Sequence, residues 1–367
     1  MKMTMLRLLV FVLCVAGCYS SKSTTGGGGD TVVKLTGAGA SFPMPIYTRW
    51  FQDYGKKHPN VHVDYQSVGS GSGVKAVLDG TVDFGASDYA MTPEEMAKVQ
   101  RGVQVLPLTA GSIVLCFNVP EVKELKLSRE AYAGIFLGKI NRWNDSAIAK
   151  CNAGVTLPDK PINVVVRADS SGTSFVYTKH LSAISKEFAA SPGENKMPNW
   201  PVGTKSKGNE GVTASLKTTP YSIGYVEYSY GIGAKLPMAT LENKEGNYVA
   251  ATNASAQAAL AAIQMPSDLI VWLSDPPGKE SYPIVTYTWM LCYKKYDDKK
   301  KADTLKDLIQ YCVTEGQQVS DKLGYVQLPA AVVEQVQAAL KNIGVDEKTA
   351  AREAAGDRRP VLAVRPH

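Results

Sequence analysis

The sequence predicts an α/β fold, and three observations carry that prediction. Short apolar segments alternate with amphipathic ones along residues 32–345. The spacing of the apolar residues switches between two, the strand period, and about four, the helix period. Three of the apolar segments run into turns of glycine and hydroxyl residues that open directly into helical pattern. The chain has 367 residues, enough for two domains of ordinary size. Its 44% hydrophobic and 20% charged content is a globular balance, which argues against disorder throughout.

Taken in order, the first strand is expected over 32–36. Ile46, Trp50 and Tyr54 then recur at spacing four and predict a helix. Val61, Val63 and Tyr65 alternate with His62 and Asp64, a strand pattern. Residues 162–166 are predominantly apolar and fit a buried strand. Near the end, Val332, Val333, Val336, Ala339, Leu340 and Ile343 form one apolar helical stripe. There is no internal repeat and no coiled-coil heptad.

The three turns share one chemistry. They are GAGASFP at 37–43, GSGSG at 69–73 and DSSGT at 169–173. Each places small residues and hydroxyls at a helix N-terminus, where free backbone N–H groups and the positive end of the helix dipole form an anion site. Serine before a helix is also an ordinary cap, so one such turn means little, and three support an anion binder without naming the anion. Arg167 follows the 162–166 strand, and Asp169 shares its face, so the pair reads either as an oxyanion fork with its anchor or as a strand-end ion pair. Asp88 closes the segment VDFGASD. An ionised carboxylate only accepts hydrogen bonds, so beside an anion it makes sense if that anion still carries a proton. Phosphate qualifies and sulfate does not. An ordinary turn aspartate is the plainer alternative.

Other classes are set aside by what is missing. The net charge of +6 is small and dispersed, which does not indicate nucleic-acid binding. Neither glycine turn completes a dinucleotide or P-loop fingerprint, and there is no GxSxG elbow. The four histidines have no metal spacing and no CxxC pair occurs, which argues against a zinc enzyme. No apolar run approaches the roughly 20 residues of a membrane-spanning helix. At the N-terminus, Lys2 and Arg7 precede a nine-residue apolar core at 8–16. This predicts an export signal over 1–17. Small residues before Cys18 resemble the bacterial lipobox, so Cys18 is expected to be lipidated and 18–30, rich in Ser, Thr and Gly, to be a flexible tether. The pairing of Cys116, Cys151, Cys292 and Cys312 stays open, with buried thiols at least as well supported as disulfides.

Together, LTGAGASFP (35–43), YQSVGSGSGVK (65–75), TVDFGASD (81–88), FLGKINRWND (136–145), VVVRADSSGTSF (164–175), KGNEG (207–211), SIGYVEYSY (222–230) and LPAAVVEQVQAAL (328–340) resemble the phosphate-binding proteins of bacterial ABC-type phosphate importers. The likeness covers essentially all of 31–345. It implies a two-lobed periplasmic binding protein fold, each lobe a central sheet flanked by helices, joined by crossovers in 105–118 and 283–293. Lobe one is then 31–108 plus 284–345, and lobe two is 109–283. Position by position, the resemblance implies phosphate contacts from Ser41, the Phe42 backbone N–H, Ser70, Asp88, Arg167, Ser171, Gly172 and Thr173, with Asp169 holding Arg167. It further implies a monomer with no cofactor, working with an ABC permease at the extracytoplasmic face. Two departures stand out. Gly71-Ser72-Gly73 varies the usual order after the serine, and the basic tail 346–367 has no counterpart and reads as a solvated terminus. The competing readings are a sulfate binder on the same scaffold and a phosphate-ester hydrolase using the same cradle.

Overall fold

A computed structural model describes residues 32–346. The expected signal peptide, Cys18 with its tether, and residues 347–367 of the tail lie outside the described residues. Eight strands make one sheet: β1 (Val33–Gly39), β2 (Val61–Ser67), β3 (Phe84–Ser87), β4 (Val103–Asn118), β5 (Asn163–Arg167), β6 (Thr204–Ser206), β7 (Ser222–Glu227) and β8 (Val285–Tyr293). Their order is β2-β1-β3-β8-β4-β7-β5-β6.

The sheet has two halves that share one strand. The 16 residues of β4 pair antiparallel with β8 from Val103 to Ser112, and antiparallel with β7 from Ile113 to Asn118. The apolar runs at 105–118 and 283–293 are therefore buried strands through the middle of the molecule, and the Ile113 N–H donates to the Ile284 carbonyl at 2.9 Å where the chain crosses back. In each half the remaining strands are mostly parallel: β1 with β2 and β3, and β5 with β6 and β7. Helices follow their carboxyl ends, where α/β sheets bind ligands. These helices are α1 (Met44–Lys57), α2 (Ser70–Leu78), α3 (Gly172–Ile184) and α4 (Gly208–Thr218).

The first strand runs three residues further than its apolar pattern. Gly37, Ala38 and Gly39 keep parallel pairing with both β2 and β3, so the turn begins only at Ala40. Gly39 has φ +152°, and a Cβ there would stand 2.1 Å from the Ala86 carbonyl oxygen. The glycine is what lets β1 and β3 close up at the mouth of the cleft.

Aromatic residues fill both halves. In the first, Tyr47 and Phe51 of α1 lie over β2 and β3, with Tyr47 edge-on to Tyr65 at 5.2 Å and Phe51 edge-on to Phe84 at 6.0 Å, while Trp50 donates its indole N–H to the Gly316 carbonyl at 2.6 Å. Each such ring stabilises by about 1.5–3 kcal/mol through burial, so Trp50→Ala is a change that would break the packing of α1. In the second half Phe136, Tyr177, Trp200 and Tyr225 form one cluster. The four cysteines among the described residues are free, with Cys116, Cys292 and Cys312 buried. Among the described residues, no helix is long and apolar enough to cross a membrane, and no cluster of His, Cys, Asp and Glu could hold a metal ion.

Candidate anion-binding site

Four helix N-termini converge where the two half-sheets meet, one more than the three turns foreseen. At the first, Tyr65, Tyr230 and Tyr325 donate hydroxyl hydrogen bonds of 2.6–2.7 Å to the carbonyls of Ala40, Ser41 and Phe42. Those bonds fix the backbone of the turn and aim its N–H groups away from the same phenols. The Phe42 N–H lies ahead of the first helical turn, where helix geometry supplies no carbonyl for it. At the second, Ser70 begins α2 and its Oγ accepts from the Asp88 N–H at 3.2 Å and the Gly172 N–H at 3.1 Å. Asp88 comes from the first half and Gly172 from the second, so Ser70 stitches the halves together. A Cβ on Gly172 would lie 2.6 Å from both Asp88 Cβ and Ser70 Oγ, which only glycine avoids.

At the third, Ser171 caps α3, its Oγ accepting the Ser174 N–H at 3.0 Å. The hydroxyl proton of Ser171 remains to be donated elsewhere. Thr173 is fully buried and donates to Asp88 Oδ2 at 3.3 Å. The fourth N-terminus, that of α4, brings Asn209, fully buried. Its backbone N–H and side-chain amide both donate to Ser41 Oγ, at 3.1 and 2.9 Å, and its Oδ1 accepts the Glu227 N–H.

Arg167 supplies the positive charge, with only 1% of its side chain exposed. Its Nε and Nη2 donate to the two oxygens of Asp169 at 2.8 and 2.5 Å, a bidentate pair. Asp169 also accepts the Gly208 N–H at 3.0 Å. The remaining nitrogen, Arg167 Nη1, is buried with no protein partner. Burial opposes the charge of Arg167, but the Asp169 carboxylate outweighs it and holds the guanidinium above its ordinary value. Burial likewise opposes ionisation of Asp169, and the Arg167 hydrogen bond and charge overcome it, so Asp169 titrates below the usual aspartate range. The pair is thus fixed as an ion pair with one donor left over.

Asp88 is 1% exposed and faces the same point from the first half-sheet. Thr288 donates to its Oδ1 at 2.8 Å. Burial pushes its carboxyl up to about 7, against the lowering effects of the Thr288 bond, the Arg167 charge and the Thr173 bond. Above that pH it is a pure hydrogen-bond acceptor. The structure therefore gathers every site residue named from sequence: Ser41, Phe42, Ser70, Asp88, Arg167, Asp169, Ser171, Gly172 and Thr173.

Two members of the cradle carry little sequence signal. Asn209 sits in the KGNEG segment, where only glycine spacing ahead of a helix marks it. Thr288 lies inside an apolar crossover and looks like any strand threonine. Pairing between β8 and β4 shifts at this point, between Thr288 and Trp289, and that irregularity is a tertiary feature.

The comparisons with known proteins fit this geometry. A family model described as "PBP superfamily domain" matches residues 23–315. The phosphate-binding protein PstS of Pasteurella multocida is 42% identical over 84% of this chain and 90% of its own length. This chain belongs to the phosphate-binding protein family. A relative of the same name in Methanocaldococcus jannaschii is 39% identical over 89% of this chain and 90% of its own. Among solved structures, a high-affinity periplasmic phosphate-binding protein bound with phosphate covers 86% of this chain and 100% of its own at a TM-score of 0.69 and 19% identity. The fold is the two-lobed periplasmic binding protein fold, as the family's structures have it.

Proposed function

We propose that this chain binds inorganic phosphate between its two lobes and hands it to an ABC-type permease for import. The observation that carries the reading is Arg167 Nη1, a buried charged donor without a protein partner, set among four helix N-termini. A buried donor left unsatisfied costs about 1–3 kcal/mol, more when charged, and an oxyanion relieves that cost. The hydroxyls of Ser41, Ser70 and Ser171 and the Phe42 N–H supply the remaining donors, the Thr173 hydroxyl joins them by turning from Asp88 to the anion, and Asp88 accepts a hydrogen bond from the protonated phosphate oxygen. Arg167 and Asp169 nearly cancel, so peptide and hydroxyl dipoles carry most of the charge stabilisation. Contacts from both halves favour the closed form, the state a permease would read. The lobes are taken as 31–108 plus 284–345 and 109–283.

We take the site as that of a binder rather than an enzyme. Ser171 caps its own helix, and His180 bonds to the Tyr132 hydroxyl at 2.9 Å, with burial lowering its pKa to about 3, so the two do not form a serine–histidine nucleophile pair, which favours the binding reading. Release at the extracytoplasmic face, with a lipid on Cys18 and the 18–30 segment as leash, completes the proposal. Crystals grown with phosphate test it. A tetrahedral ion within hydrogen-bond reach of Arg167 Nη1, Ser41, Ser70, Thr173 and Asp88 is expected. An ion bound elsewhere, or hydrolysis of a chromogenic phosphate ester by the purified protein, would overturn it.

A further inference from the structure

Lys196 lies outside the anion cradle yet touches both of its walls. Its backbone carbonyl accepts the Ser171 N–H at 2.8 Å, which ties it to the cap of α3. The preceding residue, Asn195, is bonded through its N–H and its carbonyl to the Thr178 hydroxyl of the same helix, at 3.0 and 3.1 Å. The loop carrying Lys196 is thus fastened to the second half-sheet. Its side chain reaches the other way. The ammonium donates to the Tyr89 hydroxyl at 2.9 Å and to Glu95 Oε1 at 3.2 Å, and stands 4.3 Å from the centre of the Tyr89 ring.

Both acceptors are set in advance. Tyr89 directly follows Asp88, is only 4% exposed, and packs its ring against Phe175 of α3 at 5.9 Å. Glu95 is held in a capping box with Thr92: its Oε2 accepts the Thr92 N–H at 3.0 Å, while its own N–H donates to Thr92 Oγ1 at 3.2 Å. That leaves Oε1 for the ammonium, and the Tyr89 hydroxyl approaches the same oxygen at 3.5 Å. An acceptor that needs no ordering costs little entropy to engage.

We propose that Lys196 is a positioning residue, an interlobe latch that joins Ser171 of one wall to Asp88-Tyr89 of the other and lengthens the life of the closed complex. The inference rests on the phosphate-binding reading above. The latch spans the two halves, so it forms on closure and breaks before the ligand leaves. It should act on the rate of release and leave capture by the open form alone. Lys196 keeps 37% of its side chain exposed, so the effect is moderate and falls as salt screens the pair.

Stopped-flow measurement of phosphate association and release tests this, using the full soluble protein and the variants Lys196→Met, Lys196→Arg and Glu95→Gln. Lys196→Met should release phosphate about 2- to 5-fold faster with association essentially unchanged, as expected for a partly exposed charged contact. Lys196→Arg should restore most of the lifetime. Glu95→Gln should have little further effect once Lys196 is Met. The melting temperature without phosphate should not move, because a purely structural role would shift it. An unchanged release rate, or a change confined to association, overturns the latch alone. Failure of the unaltered protein to bind phosphate overturns the functional reading and the latch with it.

Discussion

The Thr288 hydroxyl donates a 2.8 Å hydrogen bond to Oδ1 of Asp88, joining the second crossover strand to the acceptor carboxylate. That bond lowers the pKa of Asp88, against a burial effect that has raised it to about 7. Replacing Thr288 by Val removes the donor while keeping the shape. Asp88 should then titrate above 7, and at neutral pH more of it should be protonated and unable to accept from the ligand. A hydrogen bond to a charged group is worth about 1.5–3 kcal/mol, so phosphate affinity at pH 7 should drop about tenfold or more. Calorimetric titration checks this, and the loss should shrink as pH is raised.

Asp169 neutralises a guanidinium that is almost wholly buried. In Asp169→Asn the charge of Arg167 loses its partner, and breaking a buried pair from one side costs about 3–5 kcal/mol. Thermal unfolding without phosphate should show that loss. Saturating phosphate should recover a larger share of stability for the variant than for the native protein, since the anion becomes the counter-charge.

Gly172 stands where the walls touch, with space for no Cβ beside Asp88 and Ser70. Gly172→Ala should hold the halves apart and weaken phosphate binding about 10- to 100-fold, the equivalent of 1–3 kcal/mol of overpacking. Unfolding without phosphate should change far less than affinity does.

Glu227 is a second buried carboxyl, fully enclosed where β7 meets α4. Burial raises its pKa to about 8 from 4.5, despite the hydrogen bonds that Ser229 donates to its Oε2 from its N–H and its hydroxyl. The folded state therefore keeps a proton that the unfolded chain gives up. Its contribution to stability is full below about pH 4.5 and declines as pH rises through 8. Glu227→Gln should flatten that decline, which is at most about 1.4 kcal/mol per pH unit for one proton. Denaturant unfolding at pH 5, 6.5 and 8 measures it.

Legibility from sequence followed how local the cause was. Ser171 as a helix cap and Arg167 beside Asp169 are set by neighbours a few residues away, and both were readable. The two crossovers were placed by the family resemblance, on stretches that are largely apolar because β4 and β8 are buried almost throughout. What could not be read was which turn faces which. Nothing local in Asn209 says that it will bridge Ser41 and Glu227, and nothing in Thr288 says that it will meet Asp88. Local pattern also ended the first strand at 36, because glycine is a poor strand former, whereas pairing with two neighbours carried it to Gly39. The choice of phosphate over a generic anion came from family likeness joined to one carboxylate.

That carboxylate is the account's central claim: Asp88 tests whether the bound anion still has a hydrogen to donate. Competition calorimetry at pH 8.5, where Asp88 is ionised before the ligand arrives, tests it most directly. The native protein should bind phosphate and reject sulfate by about 10⁴–10⁵, the discrimination expected when a buried group needs a donor. Asp88→Asn, whose amide can donate to sulfate, should bring the two anions within about tenfold of each other, a difference of about 1.4 kcal/mol. Equal affinity of the native protein for both anions, or rejection of sulfate undiminished in Asp88→Asn, would contradict the claim.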